Sequence, residues 1–293
     1  GPALAYQLWA GEKALALFAY ETARGYFERA KTLIEAGRVE PSQKQRFACL
    51  ESLGDVYTVQ GSYEEAREGY RAALDLPGTV ETATADLCRR MAQTYERQGQ
   101  YDPAIEWLQR GLAALGDRQD GEIAARIHLI HGAIDVRQGR LDRALAWAER
   151  ALCAIEDGSV LAEEAQACNL MGVIHRALGQ LTQAAEYCQR SAELYEALDN
   201  PLKAAAAYSN LGVIAFERDD WPEAEVAYQQ ALKLQESTDD AYGQATTRCN
   251  LADLYWRHGR LEEALAQTQV GLQLAEEIKS DYLQALAHQN LGA

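Results

Sequence analysis

The chain has 293 residues and a formal net charge of −16, with 44 acidic against 28 basic residues. Nucleic acid and anionic lipid both repel a protein of this charge, so we expect neither as a partner. No apolar run approaches the roughly 18 residues of a membrane-spanning helix. The common enzyme motifs G-x-x-x-x-G-K-[ST], G-x-S-x-G and H-E-x-x-H do not occur in the sequence.

In chain order, one local pattern returns eight times, each time as a small residue that follows an apolar one. We call these small residues the anchors of the repeats; they are Gly11, Gly54, Ala92, Gly132, Gly172, Gly212, Ala252 and Gly292. Their spacings are 43, then 38, then five times 40 residues. A period in this range indicates stacked repeats that bury their apolar faces on one another. We therefore predict one superhelix over residues 3–293, after a two-residue tag remnant (1–2). Its repeats lie near 3–42, 43–82, 83–121, 122–160, 161–200, 201–240 and 241–280, with a partial eighth at 281–293.

Each repeat is predicted to be a hairpin of two helices. An alanine follows the first small residue by twelve positions in every complete repeat, and five positions before that alanine stands a glycine, except at Phe18 and Asp219. The two small residues mark a close helix crossing, and the glycine allows the left-handed backbone that ends the first helix. In the third repeat we expect the second helix to begin at Asp102 as N-cap, followed by Pro103. Asp220 is expected to cap a helix in the same way.

The second repeat carries the pattern nearly whole, as Leu53, Gly54, Tyr57, Gly61, Tyr63, Ala66, Tyr70 and Ala73. This order resembles the tetratricopeptide repeat (TPR), and the likeness covers almost the entire chain. It implies an all-α fold, a right-handed α-solenoid of about seven hairpins and a truncated eighth. The 40-residue spacing is similar to that of kinesin light chains, spindle-orientation scaffolds and bacterial signalling proteins related to the maltose-operon activator. Residues 10–35 are similar to the junction at which such bacterial proteins pass from an ATPase module into their repeats.

The cysteines and histidines do not indicate a site. The six cysteines lie in different repeats without a C-x-x-C pair, most of them at positions that face a neighbouring helix. We expect reduced thiols and a cytoplasmic location. His128 and His131, three residues apart, could share a metal, but both occupy packing positions. We therefore predict no metal and no cofactor.

In the architecture that the resemblance implies, the first helix of each hairpin lines a concave groove. Repeats three and four then present Arg89, Arg90, Gln93, Arg97, Arg126 and Arg137. Because arginine binds carboxylates in a bidentate manner, an acidic peptide segment or chain terminus is a predicted ligand. The arginines could equally pair with acidic residues of adjacent repeats, such as Glu51, Asp55 and Glu96. The sequence leaves both alternatives open.

The later repeats carry amides and aromatic residues in the predicted groove. Asn210, Asn250 and Asn290 share one position, with Asn169 one residue earlier; Phe216 and Trp256 share another, with Asp253 and Arg257 nearby. This pattern resembles TPR peptide clamps, in which the equivalent asparagine binds a peptide backbone. The lysines that such clamps use to bind a terminal carboxylate are missing here. Exposed aromatic residues in a groove are favoured binding anchors. The alternative for the asparagines is a hydrogen bond to a neighbouring helix.

Two functions agree with these patterns. The first is a non-catalytic scaffold whose concave groove holds an extended or helical segment of a partner protein, of acidic character where it meets the arginines. The second is a ligand-sensing or regulatory arm of a larger bacterial signalling ATPase, cyclase or transcription regulator, whose partners include other domains of the same chain. Since catalytic motifs are missing, we do not expect an enzyme.

Overall fold

The structure is a computed structural model that describes residues 2–117, 121–155 and 160–292, with side chains through residue 289. These residues contain fifteen α-helices and no strand, and none of the helices is both long and apolar enough to cross a membrane. Their packing defines two units, Gly1–Ile134 and Asp135–Ala293, which we call the N-unit and the C-unit. The predicted all-α array of helical hairpins is confirmed.

The N-unit joins its hairpins through connections of unequal length. Its helices are α1 (Pro2–Ala16), α2 (Tyr20–Glu35), α3 (Gln43–Val59), α4 (Tyr63–Leu74), α5 (Glu81–Arg97), α6 (Tyr101–Leu115) and most of α7 (Glu122–Arg137). Helix α3 begins with a capping box, in which Ser42 and Gln45 bond each other's backbone N–H groups. Helix α4 has only 12 residues, and a loop over 75–80 leads from it to α5. The irregular spacing of the first anchors therefore reflects the loops and the short helix.

In the C-unit a new helix begins every 20 residues, so that each hairpin takes 40. Its helices are α8 (Leu141–Cys153), α9 (Leu161–Ala177), α10 (Leu181–Ala197), α11 (Pro201–Glu217), α12 (Trp221–Ser237), α13 (Ala241–Arg257), α14 (Leu261–Glu277) and α15 (Asp281–Gly292). The backbone is left-handed at Gly139, Gly179, Asp199, Asp219, Asp239, Gly259 and Lys279. Phe18 and Asp219, the two exceptions to the glycine rule, also adopt positive φ, at 57° and 59°. The predicted turn is confirmed even where its glycine is replaced.

Within a hairpin, the two helices cross where the sequence placed its small residues. A Cβ added to Gly54 or Gly212 would overlap the ring of Tyr70 or Tyr228 on the second helix, and one added to Gly172 would overlap a cysteine sulfur. Tyr70 and Tyr228 are 1% and 2% exposed. The missing side chain is thus what lets an aromatic ring lie directly on the first helix.

In the C-unit the first helices form an inner layer. In the C-unit α9, α11, α13 and α15 contact one another in succession, as α1 and α3 do in the N-unit, whereas the described second helices do not pack on each other to that extent. Asp220 caps α12 as predicted, accepting the N–H of Glu223 at 3.2 Å. The predicted start of α6 is wrong by two residues, because Gln100 is its N-cap. Asp102 instead lies in the first turn, where a carboxylate still favours the helix N-terminus.

Candidate functional site

The predicted basic lining of the third repeat is engaged in ion pairs. Arg90 on α5 contacts Asp55 on α3, lies 3.3 Å from Glu51 on the same helix, and lies 2.7 Å from Asp86. Arg89 shares Asp86, also at 2.7 Å. We call these five residues the ion-pair cluster. It links the first helices of two adjacent repeats.

Burial and charge act in opposite directions within the ion-pair cluster. Burial raises the pKa of Glu51 despite the nearby Arg90. Burial also acts to raise the pKa of Asp86, but Arg89 and Arg90 outweigh it and hold that pKa below its usual value. For Arg90, burial favours the neutral form, yet Asp55 and Asp86 raise its pKa, so the guanidinium stays charged. A carboxylate ligand would have to displace a protein carboxylate in order to reach Arg90.

The other predicted basic residues also have partners. Arg89 donates to Gln93 at 3.4 Å, and Arg97 donates to the carbonyl of Thr58 at 3.4 Å. Arg126 forms an ion pair with Glu122 at 2.5 Å. Arg137, which belongs to the C-unit, is not free either. The alternative of pairing with an adjacent repeat is present at Arg90, which contacts Asp55 and Glu51, whereas Arg89 and Arg126 pair with Asp86 and Glu122 of their own helices.

The predicted amides behave differently from one another. The Asn210 side chain donates to Asn169 Oδ1 at 3.0 Å and so joins α11 to α9. Asn250 on α13 is half-buried, and its side chain makes no hydrogen bond to any described residue. The side chain of Asn290 lies outside the described residues. The bond to a neighbouring helix is therefore present at Asn210 and Asn169, and peptide binding by Asn250 stays a prediction.

The predicted aromatic pair lies on the same inner layer. Phe216 is half-buried beneath Arg257, whose Cζ lies 4.8 Å from the ring centroid, and it meets Trp221 edge-on at 5.4 Å. Arg257 also contacts Asp253, with Nε 3.2 Å from Oδ1. The indole of Trp256 remains 42% exposed. We define the amide–aromatic stripe, on α9, α11 and α13, as Asn169, Asn210, Phe216, Asn250, Asp253, Trp256 and Arg257.

The cysteines are unpaired, and all except Cys153 are buried. Burial raises the pKa of Cys49, Cys88, Cys168 and Cys249 to about 11, and that of Cys188 to about 12. These thiols stay protonated and unreactive at neutral pH. No three His, Cys, Asp or Glu side chains among the described residues form a group that could hold a metal ion.

Sequence reasoning missed a cleft of about 490 Å³ at the start of α3. It is lined by Gln43, Lys44 and Phe47 of α3, by Gly78, Thr79 and Val80 of the following loop, and by Ala83 of α5. We call it the α3–α5 cleft. The signal that could have revealed it is the early end of α4 at Leu74, three residues before Pro77.

Several solved structures share this fold. A Rap protein complexed with competence and sporulation factor is 14% identical, with a TM-score of 0.71 over 97% of this chain and 79% of that chain. A tetratricopeptide repeat protein from Parabacteroides merdae is 12% identical, with a TM-score of 0.66 over 99% and 100%. BtubC (BKLC) from P. vanneervenii is 18% identical, with a TM-score of 0.60 over 82% and 94%. At these identities the likeness shows the fold alone. The sequence matches no curated protein.

Two family models match the sequence itself. The tetratricopeptide repeat model matches residues 46–117. The model of the MalT-like TPR region matches residues 121–291, which is more than half of the chain. The hairpins, their glycine crossings and both matches lead to one conclusion: the chain belongs to the tetratricopeptide repeat family, and its larger part is a MalT-like TPR region.

Proposed function

We propose that this chain is a non-catalytic scaffold that binds a segment of a partner protein along the amide–aromatic stripe. The observation that carries the proposal is on α13, where the open amide of Asn250 and the exposed indole of Trp256 lie on one inner-layer helix. An amide can donate to and accept from a peptide backbone, and an indole supplies apolar contact area. The unreactive thiols agree with a reducing compartment, and we propose the cytoplasm.

The ion-pair cluster is a less favourable place for the same partner. An acidic segment could reach Arg90 only by breaking a contact with Asp55, Asp86 or Glu51, which would leave that carboxylate without its cation. Arg97 and Arg126 are less enclosed, and we propose them as the N-unit residues that an acidic partner would meet. The Rap complex and the other similar structures support a binding role only as members of the same fold.

The test begins by finding the partner in cells. A photocrosslinking amino acid at Trp256 is compared with the same amino acid at Val226, an outer-helix residue that is 68% exposed. We expect a protein to be captured at Trp256 and not at Val226. The affinity of that protein for the purified chain is then measured by calorimetry.

The substitutions Asn250→Ala and Trp256→Ala should together weaken binding at least about thirtyfold, because one buried aromatic anchor alone is worth ~2 kcal/mol. The matched control is Val226→Ala with Gln229→Ala, on the outer face of α12, which should leave affinity unchanged. Equal losses from both pairs, with folding intact, would mean that the stripe is not the binding surface.

A second candidate, the regulatory arm of a larger protein, is favoured by one feature of α1. Tyr6 lies five residues before its anchor and is 55% exposed. The residues at the same position in the later repeats are buried: Cys49, Leu87, Ile127, Ala167, Ala207, Thr247 and Ala287. In a solenoid this position packs on the preceding hairpin, so α1 offers a surface on which another element of a larger protein could dock.

Hydrogen exchange separates the two candidates. We expect the amides of α1 to exchange more slowly in the full-length product of the gene than in this chain, if a further domain covers Tyr6 and Trp9. Identical exchange in both would remove the second candidate and leave the scaffold proposal untouched.

A further inference from the structure

The α3–α5 cleft arises because one buried position is left unfilled. In repeats three to seven the residue 23 positions after the anchor is buried, as Leu115, Ile155, Tyr195, Gln235 and Ala275, none more than 6% exposed. The corresponding residue of repeat two is Pro77, which lies beyond the end of α4 and is exposed. The side chain that elsewhere fills the space near the next hairpin is therefore absent here.

The loop that replaces the last turn of α4 closes one side of the cleft. Thr79 donates to the carbonyl of Leu76 at 2.9 Å and to that of Ala73 at 3.5 Å. Gly78, at φ 73°, comes so near α3 that a Cβ there would lie 3.3 Å from Gln43 Nε2. Val80 forms the outer lip and is 64% exposed. These contacts fix the loop while leaving the cleft open to solvent.

The cleft combines an apolar lining with one unpaired cation. Phe47, Val80 and Ala83 supply the apolar wall, and Lys44 is the single ionised residue that lines it. No carboxylate among the described residues pairs with Lys44, although the chain has 44 acidic residues. An apolar group with a neighbouring negative charge complements this arrangement, since it covers the wall and neutralises the ammonium.

We propose that the α3–α5 cleft holds an apolar side chain of a partner peptide, with an acidic residue next to it in the peptide paired to Lys44. A peptide fits better than a free small molecule because the cleft is open, whereas small-ligand sites enclose most of their ligand. Binding here is independent of the amide–aromatic stripe, since every residue involved belongs to the N-unit.

The test captures a probe peptide by disulfide exchange at the lip of the cleft. Val80→Cys is made in a Cys153→Ser background, which leaves only the buried native thiols. The probes are the mixed disulfides that mercaptopropionyl-Phe-Glu-amide and its uncharged twin mercaptopropionyl-Phe-Gln-amide form with β-mercaptoethanol, each used with excess free β-mercaptoethanol. The introduced thiolate attacks the probe sulfur and releases β-mercaptoethanol. We expect three- to fivefold more capture of the Glu probe than of the Gln probe, as one exposed ion pair provides.

Four variants make the result specific. Val226→Cys, at an exposed residue far along the sequence, should capture little of either probe and should disfavour the Glu probe because of the net negative charge. Adding Lys44→Gln to Val80→Cys should abolish the preference for Glu, and Lys44→Arg should retain it. Adding Ala83→Leu should reduce capture of both probes by filling the cleft. Equal capture at residues 80 and 226, or a preference that survives Lys44→Gln, would overturn the proposal.

Discussion

The N-unit and the C-unit solve the same packing problem in different ways. Residues 1–134 contain 15 basic and 19 acidic residues, and residues 135–293 contain 13 and 25. The N-unit has unequal loops, whereas the helices of the C-unit begin every 20 residues. Charged side chains join hairpins in both units, as Arg90 does with Asp55 in the N-unit and Arg176 with Glu217 in the C-unit. The comparison teaches that the two units bury their joining arginines to different depths: Arg67 of the N-unit is 1% exposed, whereas Arg176 and Arg260 of the C-unit are 37% and 35% exposed.

Arg67 and Arg260 illustrate the contrast. Arg67 on α4 is 1% exposed, donates to Gln98 at 2.8 Å and lies over the ring of Tyr95 at 4.2 Å. In the C-unit, Arg260 reaches Glu225 of the preceding repeat at 2.8 Å, with its side chain 35% exposed. Loss of a joining arginine should therefore damage the N-unit more than the C-unit.

The largest effect should come from a buried charge in the C-unit. Ala144 on α8 is fully buried, so Ala144→Glu would place a carboxylate there without a partner, at a cost of several kcal/mol. We expect two-step unfolding in urea, with protection from hydrogen exchange lost first in α8 and retained in α11 to α14. The control Ala144→Ser should unfold nearly as the wild type does.

The same experiment tests the single continuous superhelix, which stays a prediction. Nearest-neighbour coupling predicts that a lesion splits an array into parts. Uniform loss of protection along the chain would show instead that all repeats fold as one cooperative body.

The next largest effect should come from removing the central cation of the ion-pair cluster. Arg90→Met leaves Asp55 and Glu51 without their cation in a half-buried place and leaves Asp86 with Arg89 alone, and we expect a loss of about 2–3 kcal/mol in unfolding free energy. The matched variant in the C-unit is Arg257→Met, which breaks an exposed pair and should cost less than about 1 kcal/mol. Urea titrations measure both. Equal losses would erase the distinction between the two units.

A smaller effect concerns pH. Arg89 and Arg90 hold the pKa of Asp86 low in spite of its burial. The ionised Asp86 therefore stabilises the fold above the unfolded pKa of about 3.9, and this contribution is lost as pH falls through the lower folded pKa. Asp86→Asn should therefore cost about 1–2 kcal/mol at pH 7 and progressively less below pH 4. Glu51→Gln is the opposite case, because burial raises the pKa of Glu51 and its ionised form opposes folding. A pH-independent cost for Asp86→Asn would contradict this account.

The smallest effect should be the same in both units. Phe18 in the N-unit and Lys279 in the C-unit hold left-handed backbone, at φ 57° and 55°. Replacing either with glycine should stabilise the chain by about 0.5–1 kcal/mol, as seen in melting temperature. The reverse change, Gly259→Lys, should destabilise by a similar amount. A gain in one unit only would mean that the turns are not equivalent.

Sequence reasoning could predict the fold because every feature that defines it is local and repeated. The left-handed turn was predictable at Gly179, and its survival at Phe18 follows from the repeat geometry, which imposes the conformation on whatever residue stands there. The partners of Arg90 were not predictable, because pairing depends on which acidic side chains of α3 and α5 come within reach after folding. The α3–α5 cleft was missed because it depends on a helix that ends one turn early, and helix ends are poorly specified by local pattern.

The turns of the C-unit have one more consequence, for how such a protein can change over generations. Asn200 and Asp240 each follow a left-handed aspartate, and each caps the next helix, accepting the N–H of Lys203 at 3.2 Å and of Gly243 at 3.0 Å. If residues 201–240 were deleted, Asn200 would precede Ala241 and could cap α13 as Asp240 does. A gene of this kind can therefore gain or lose whole hairpins by unequal recombination without disturbing a single turn, and each event would lengthen or shorten the inner layer by one helix.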